Sequence, residues 1–162
     1  MLGDTQWNFD GQEIFKRAVH GMSEASEEAL KRSGLTVADI GLVVPHQANL
    51  RIIESVAKRV GVPMARVHVT VQRYGNMSSA TVPVGLCEAL EEGRVAKGGW
   101  LLLPAFGGGL TFCAHLVRWG DRVTPMGTAR RPAFAWSKPR STVHPIAAIT
   151  PATRARALLA KR

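Results

Sequence analysis

The first part of the chain has the apolar spacing of helices, bounded by residues that start and stop them. Asp10 followed by Glu13 has the spacing of a capping box, and the apolar positions after it recur at helical intervals. Ser23 is expected to cap a second helix, because acidic residues fill the turns that follow it and basic residues fill the last turn. Gly34 then supplies a stop. The pattern therefore predicts two consecutive helices before Gly34.

Short apolar segments follow, and they are typical of buried strands. The run over 40–44 ends at Pro45 and predicts a buried strand. A helix over 49–60 comes next, with apolar residues on one face and Gly61 as its end. The segment 67–71 predicts a second strand.

The last patterned region combines one helix with a pair of strands. Ser78 or Ser79 is expected to cap a helix that continues to Glu92. Two apolar runs, over 100–106 and 110–117, are separated by three consecutive glycines and predict paired strands joined at a kink. Because helices alternate with strands, the predicted fold class is α/β, with a sheet covered by helices on both faces.

Charge divides the chain into two parts. The formal net charge is +9, but residues 1–119 hold 12 Lys/Arg and 11 Asp/Glu, a net charge of only +1. Residues 120–162 hold 9 Lys/Arg and 1 Asp, a net charge of +8, and prolines recur there every six or seven residues. We therefore predict a nearly neutral domain over 1–119 and a basic, mostly disordered C-terminal tail over 120–162.

Several protein classes do not fit this composition. With 46% apolar and 20% charged residues the chain resembles a soluble domain, and no apolar run approaches the roughly 20 residues of a membrane span. The N-terminal residues lack the pattern of a secretory signal, so a cytoplasmic location is expected. Cys87 and Cys113 are too few for a disulfide framework and are expected to be small core residues. The five histidines are scattered and predict no metal site.

Three short motifs carry polar or glycine residues that a core does not require, and each lies at the end of a predicted strand. They are PHQANLR over 45–51, GNMSSA over 75–80 and AFGGG over 105–109. Strand-end loops of α/β sheets can converge on one side. A neutral imidazole and a carboxamide can both donate hydrogen bonds to an oxyanion or enolate, and glycines let a backbone N–H approach a carbonyl. The chemistry indicated is carbonyl polarisation, with the nucleophile supplied by another group.

Each motif also has an ordinary structural interpretation. His46 after a buried strand can be a hydrogen-bonded structural histidine, and Asn76 after Gly75 is a common turn pair. Three glycines are more often a hairpin kink than an oxyanion donor. A motif taken alone therefore leaves function open, and it is the combination that favours a site.

The three motifs in this order, together with DGQEIFKRAV near the start, resemble the C-terminal half of β-ketoacyl-ACP synthase III. The resemblance covers about 9–119. It implies a thiolase-like half-domain, with a mixed sheet between helix layers. In that family two such halves pack together and two chains form a dimer, so an isolated half is expected to leave an apolar face uncovered.

The resemblance also assigns catalytic roles. His46 and Asn76 match two members of a Cys-His-Asn triad, and they would donate hydrogen bonds to the thioester carbonyl oxygen of malonyl-ACP as carbon dioxide leaves. Gly108 would donate its backbone N–H to the oxyanion at the acyl-cysteine, and Phe106 would pack near that cysteine. The loop concerned consists of Gly107, Gly108 and Gly109.

Binding roles follow from the same resemblance. The residues after His46 would line the pantetheine channel for coenzyme A or ACP: Gln47, Ala48 and Asn49. A basic helix face would receive the acidic ACP through charge complementarity, and its members are Arg51, Lys58 and Arg59. No cofactor is implied, because the substrates are coenzyme A and ACP phosphopantetheine thioesters.

Two features depart from the family pattern. The family's nucleophilic cysteine lies in an N-terminal half that this sequence does not contain, and neither Cys87 nor Cys113 has the helix N-terminal context that activates a thiol. Met77 stands where the family more often has Thr.

The leading hypothesis is decarboxylative condensation of an acyl thioester with malonyl-ACP, which initiates fatty acid or polyketide synthesis. The expected partners are ACP, acyl-CoA and either a cysteine-bearing N-terminal half or a homodimer partner, and we expect no nucleic acid. One alternative is a catalytically inactive fragment or ACP-docking subunit. Another is a module whose basic tail binds nucleic acid or an anionic surface.

Overall fold

The computed structural model describes residues 10–123, so most of the predicted tail over 120–162 lies outside the described residues. In chain order, the helices and strands are α1 (Gly11–Ser33), β1 (Ile40–Val43), α2 (Leu50–Val60), α3 (Val71–Tyr74), α4 (Thr81–Glu91), β2 (Trp100–Gly107) and β3 (Thr111–Arg118). None of the helices in this part of the chain is long and apolar enough to cross a membrane.

The three strands form one mixed sheet in the order β1-β2-β3. β1 runs parallel to β2, and β2 runs antiparallel to β3. Leu102 in the central strand lies opposite Val43 on one side and Leu116 on the other. The predicted strand over 40–44 is thus confirmed as β1, and the predicted pair at the glycines is confirmed as the β2–β3 hairpin.

Helices cover this sheet on both faces. One apolar cluster joins α1 and α2 to the first face and includes Met22, Ile53 and Leu102. A second cluster joins α4 to the opposite face through Ala89 and Leu101. Neighbouring side chains of β2 therefore belong to different clusters, as the two-residue period of a strand requires. The predicted α/β class, with a mixed sheet between helix layers, is confirmed.

The prediction of two helices before Gly34 is wrong, because α1 is one continuous helix. Asp10 caps it, and its carboxylate accepts hydrogen bonds of 3.0 Å from the backbone N–H groups of Gln12 and Glu13. Ser23 is fully buried in the interior of α1 instead of capping a second helix. The buried face of the helix continues through this small side chain, and packing there outweighs the preference of serine for a cap. Gly34 ends the helix as predicted, in the left-handed conformation with φ 71°.

The predicted strand over 67–71 does not form. Val67 makes a single parallel bridge to Val43, and the chain then turns into α3. The cause is Gln47, whose Oε1 accepts hydrogen bonds from the backbone N–H groups of Thr70 and the next residue, at 2.8 and 3.1 Å. A backbone N–H that donates to a side chain is not available to a strand ladder.

The two longer helices beside the motifs begin in different ways. The Asn49 side chain caps α2 by accepting a 2.8 Å hydrogen bond from the Arg51 N–H, and the helix ends at Gly61 as predicted. α4 begins later than expected, because a 3-10 turn over Ser78–Ala80 precedes Thr81. The serines form this turn and their side chains do not cap α4.

Both cysteines are exposed and free, so the expectation that they are core residues is wrong. Cys87 lies midway between the buried positions Gly85 and Ala89 of α4, which at 100° per residue places it on the opposite side of the helix. Cys113 lies on β3, the outer strand of the described sheet, where most side chains are exposed.

Candidate active site

His46 lies just beyond β1, where the chain leaves the sheet. Its backbone N–H donates to the Pro104 carbonyl at 2.9 Å, which extends the contact with β2. Its ring packs edge-on against Phe106, with 5.3 Å between the ring centroids. The ends of β1 and β2 therefore bring the first and third motifs together, and His46 is only 8% exposed.

Burial and one hydrogen bond define the state of this imidazole. Nδ1 lies 2.6 Å from the hydroxyl oxygen of Thr81. Burial lowers the pKa of His46 below its ordinary value, so the ring is neutral at neutral pH. Because Nδ1 is engaged with Thr81, Nε2 is the ring nitrogen that can serve a ligand.

Asn76 is connected to the same region through Ser78. The Asn76 Oδ1 accepts a 2.9 Å hydrogen bond from the Ser78 N–H, and the Ser78 carbonyl lies 3.0 Å from the Thr81 hydroxyl. Asn76 is exposed, and with Oδ1 engaged its amide NH₂ is the group oriented to donate. A chain of polar contacts of 2.6 to 3.0 Å therefore links the imidazole of the first motif to the carboxamide of the second.

Ser78 maintains this link in a left-handed backbone conformation, with φ 54°. For a residue other than glycine this conformation costs roughly 1–2 kcal/mol. The Ser78 N–H donates to Asn76, and the Ser78 carbonyl lies 3.0 Å from the Thr81 hydroxyl oxygen. Backbone strain is therefore located at the residue that connects the two candidate donors, as is common at functional sites.

Gln47 joins the segment that bears His46 to the segment that leads to Asn76. It is fully buried, and its amide makes four hydrogen bonds to backbone groups. Nε2 donates to two carbonyls and Oε1 accepts from two N–H groups, at distances of 2.8 to 3.1 Å; the partners are Pro45, His68, Thr70 and Val71. Gln47 has no accessible surface with which to line a substrate channel, so its predicted role is corrected to that of a structural link.

The third motif forms the connection of the β2–β3 hairpin. Gly107 ends β2, and the turn Gly108–Leu110 joins the strands. All three glycines are exposed, and a Cβ placed on Gly108 would meet no described atom within 4 Å. This backbone is therefore open to a ligand, and it follows directly on Phe106, which contacts His46.

The other predicted binding residues lie at the start of α2 and along it. Ala48 is half-buried, and Asn49 is exposed but uses its side-chain oxygen to cap the helix. The guanidinium of Arg51 also lies over the Phe15 ring of α1, 5.7 Å from its centroid. Three basic side chains are exposed on this helix, and we call them the α2 basic face: Arg51, Lys58 and Arg59.

One group of described residues has ligand atoms close enough to hold a metal ion, namely His68, Glu88 and Glu92. Arg73 already lies 2.6 and 3.2 Å from the two carboxylates. A guanidinium can only donate, so the 3.0 Å contact of Arg94 with His68 Nδ1 places the ring proton on Nε2, which faces Glu88 at 3.8 Å. A metal ligand would need that nitrogen deprotonated. The group is therefore an ion-pair network that ties the base of the Asn76 loop to α4.

Thr81 could not be assigned to the site from the sequence, where Ser78 was predicted only as a cap. Thr81 lies 35 residues from His46, and a threonine at the start of a helix is ordinary. The available signal was indirect. A buried histidine requires a hydrogen-bond partner, and Thr81 is a hydroxyl residue directly after the second motif.

Comparisons with known proteins match the same part of the chain. Residues 30–119 match the family model described as 3-oxoacyl-[acyl-carrier-protein (ACP)] synthase III C terminal. A Vibrio cholerae protein named beta-ketoacyl-[acyl-carrier-protein] synthase III 2 is 51% identical over 123 residues, which cover 75% of this chain and 34% of that protein. The chain thus spans about a third of the length of the curated relatives it matches.

Solved structures give the same result for the fold. The β-ketoacyl-ACP synthase III of Thermus thermophilus superposes with a TM-score of 0.68 at 49% identity, covering 70% of this chain and 36% of that one. The priming β-ketosynthase of the R1128 polyketide pathway gives a TM-score of 0.66 at 40% identity, covering 70% and 34%. The predicted thiolase-like half-domain is therefore confirmed, and the chain belongs to the β-ketoacyl-ACP synthase III family, whose C-terminal part it matches.

Proposed function

We propose that this chain provides the carbonyl-polarising half of a β-ketoacyl-ACP synthase III, where it promotes the decarboxylation of malonyl-ACP during acyl condensation. The observation that carries the proposal is the chain of short polar contacts from His46 through Thr81 and Ser78 to Asn76. It brings a buried neutral imidazole and an oriented carboxamide to one end of the sheet. Neutral donors fixed in this way suit an oxygen atom on which negative charge develops.

In the proposed reaction the bond between the malonyl carboxylate carbon and the α-carbon breaks, and carbon dioxide leaves. The electron pair of that bond remains on the α-carbon and is delocalised onto the thioester oxygen. His46, through Nε2–H, and Asn76, through its NH₂, donate hydrogen bonds to that oxygen. Because both groups are neutral donors, they stabilise the enolate without transferring a proton to it, and the α-carbon keeps its nucleophilic character.

The enolate carbon then attacks the carbonyl carbon of the acyl thioester. A new carbon–carbon bond forms, the thioester bond breaks and the thiolate leaves. Gly108 would donate its N–H to the oxyanion of this second step, and the open surface around that glycine supports the assignment.

The thiol that carries the acyl group comes, in this proposal, from a cysteine-bearing N-terminal half. Cys87 is the seventh residue of α4, and Cys113 lies within β3. Neither thiol therefore has the helix N-terminus that activates a cysteine nucleophile.

The remaining partners follow from surface chemistry and from the names of the relatives. An acidic ACP would bind the α2 basic face, where charge complementarity speeds the encounter. Acyl-CoA would supply the acyl group, and the complete enzyme would form either with the N-terminal half or as a homodimer in the cytoplasm.

The test is the rate of carbon dioxide release from malonyl-CoA, measured with the full chain alone and with a separately produced N-terminal half. His46→Ala and Asn76→Ala should each lower the rate by about 10²–10³-fold, because each removes one donor to the enolate oxygen. His20→Ala is the matched control. His20 is exposed on α1, where it pairs with Glu24 at 3.2 Å, and its loss should leave the rate unchanged.

Equal rates for wild type and His46→Ala would contradict the proposal. If no variant releases carbon dioxide while the chain still binds ACP through the α2 basic face, the chain is an ACP-docking subunit without chemistry.

A further inference from the structure

We infer that Thr81 is a positioning residue for His46. Its hydroxyl donates to Nδ1, so that the single proton of the neutral ring lies on Nε2, the nitrogen that faces the substrate. The inference rests on the proposed function and extends it to a residue outside the three motifs.

The contact between the two side chains is short and closed to solvent. Nδ1 and the Thr81 oxygen are 2.6 Å apart, Thr81 is fully buried and His46 is 8% exposed. Thr81 is the first residue of α4, and its branched Cβ restricts rotation about χ1. Phe106 contacts the ring edge-on at the same time. The hydroxyl and the phenyl ring together define the orientation of the imidazole.

The position of the ring proton follows from counting donors. The Thr81 hydroxyl has one proton and two possible acceptors, His46 Nδ1 at 2.6 Å and the Ser78 carbonyl at 3.0 Å. If the proton goes to Ser78, the hydroxyl oxygen can only accept from Nδ1–H, and Nε2 is left with a lone pair. If the proton goes to Nδ1, Nε2 carries the ring proton and can donate.

Only the second arrangement fits the proposed chemistry, because a lone pair on Nε2 would face an oxygen that gains negative charge. The imidazole contact is a hydrogen bond in either arrangement, so the second is assigned from the proposed chemistry, which requires the ring proton on Nε2. The Ser78 carbonyl then remains a 3.0 Å neighbour of the Thr81 oxygen without a hydrogen bond to it. The hydrogen bond made by one ring nitrogen of a histidine sets the state of the other, and here Thr81 makes that bond.

The test compares Thr81→Val, which keeps the shape but removes the hydroxyl, with Thr81→Ser, which keeps the hydroxyl. With malonyl-CoA as the probe, Thr81→Val should lower kcat for carbon dioxide release by about 10–100-fold and change KM by less than about 2-fold. Thr81→Ser should stay within about 3-fold of wild type. If the valine variant does not fold, Thr81→Ala, which also lacks the hydroxyl, takes its place. It should show the same loss of kcat.

A spectroscopic measurement on the full chain reads the same contact without catalysis. The ¹⁵N signals of the His46 ring, assigned by their loss in His46→Ala, should show a protonated Nε2 and a hydrogen-bonded, unprotonated Nδ1. The hydrogen-bond shift of Nδ1 should be kept in Thr81→Ser and lost in Thr81→Val.

A wild-type spectrum with the proton on Nδ1 would overturn the inference, as would a valine variant with wild-type kcat or a serine variant as slow as the valine variant. If the Nδ1 shift is kept in Thr81→Ser and lost in Thr81→Val but no protein releases carbon dioxide, the assignment of Thr81 stands and the proposed function fails. The two failures are therefore distinguishable.

Discussion

The two candidate donors are held by opposite means. His46 belongs to a buried segment, and long-range contacts fix it from several sides: Thr81 at Nδ1, Phe106 at the ring and Pro104 at the backbone. Asn76 lies in an exposed loop, and its side chain is oriented by one local hydrogen bond to Ser78, two residues away.

Because of this difference, substitutions at the two residues should affect stability and activity to different extents. A change near His46 disturbs buried polar groups that depend on one another, so it should cost stability as well as activity. A change at Asn76 removes an exposed amide, so it should cost activity with little loss of stability. Variants that affect one region and spare the other test the comparison.

The largest expected effect comes from Gln47→Leu. The substitution leaves three buried backbone groups and one part-buried backbone group without their side-chain partner, and it should lower the free energy of unfolding by about 3 kcal/mol. Urea titration followed by circular dichroism measures the change. Gln72→Leu, at an exposed position of α3, is the control and should stay within about 0.5 kcal/mol of wild type. Equal losses in the two variants would show that Gln47 does not join the segments.

A smaller effect on the free energy of unfolding is expected when the pH is lowered. Burial lowers the pKa of His46, and burial is also the first cause of the lowered pKa of His68. The unfolded chain takes up these protons near the ordinary histidine pKa of about 6.5, before the folded chain does. Stability should therefore fall as the pH drops below about 6.5 toward the lowered values, and should be independent of these groups above it.

His46→Gln removes one of the two groups and should flatten the dependence of unfolding free energy on pH between pH 7 and pH 5. Asn76→Ala removes no titrating group and should keep the wild-type slope. A slope that is the same in His46→Gln and wild type would contradict the burial of a neutral imidazole at this position.

The smallest effect is expected at Ser78. Glycine adopts the left-handed conformation without the free-energy cost that serine has there. The contacts of Ser78 with Asn76 and Thr81 are made by its backbone, which glycine keeps. Ser78→Gly should therefore raise the free energy of unfolding by about 0.5–1 kcal/mol, which a higher melting temperature would show. The neighbouring residue Ser79 has no positive φ. Ser79→Gly should therefore be neutral or destabilising. A lower melting temperature for Ser78→Gly would show that the strain at this residue is not relieved.

Features that depend on nearby residues could be predicted from the sequence. The Asp10 cap, the stop at Gly34 and the glycine connection of the β2–β3 hairpin were predicted correctly, because each is decided within a few residues. Two of the failures share one cause. Ser23 and the segment 67–71 resemble a cap and a strand locally, but tertiary contacts decide their structure.

The candidate site shows the same limit. The three motifs predicted His46, Asn76 and the glycine loop as candidates, since the residue types themselves indicate the chemistry. The roles of Thr81 and Gln47 depend on partners 21 to 35 residues away, at 2.6 to 3.1 Å, and no local pattern specifies such a contact.

The central claim is that His46 and Asn76 donate to one and the same oxygen, and a double-mutant cycle on carbon dioxide release from malonyl-CoA tests it most directly. If the two donors share one enolate oxygen, the variant that combines His46→Ala with Asn76→Ala should be little slower than either single variant, well short of the product of the two effects. If the fold-reduction in rate of the double variant equals the product of the two single fold-reductions, the two residues act independently, and the account is contradicted.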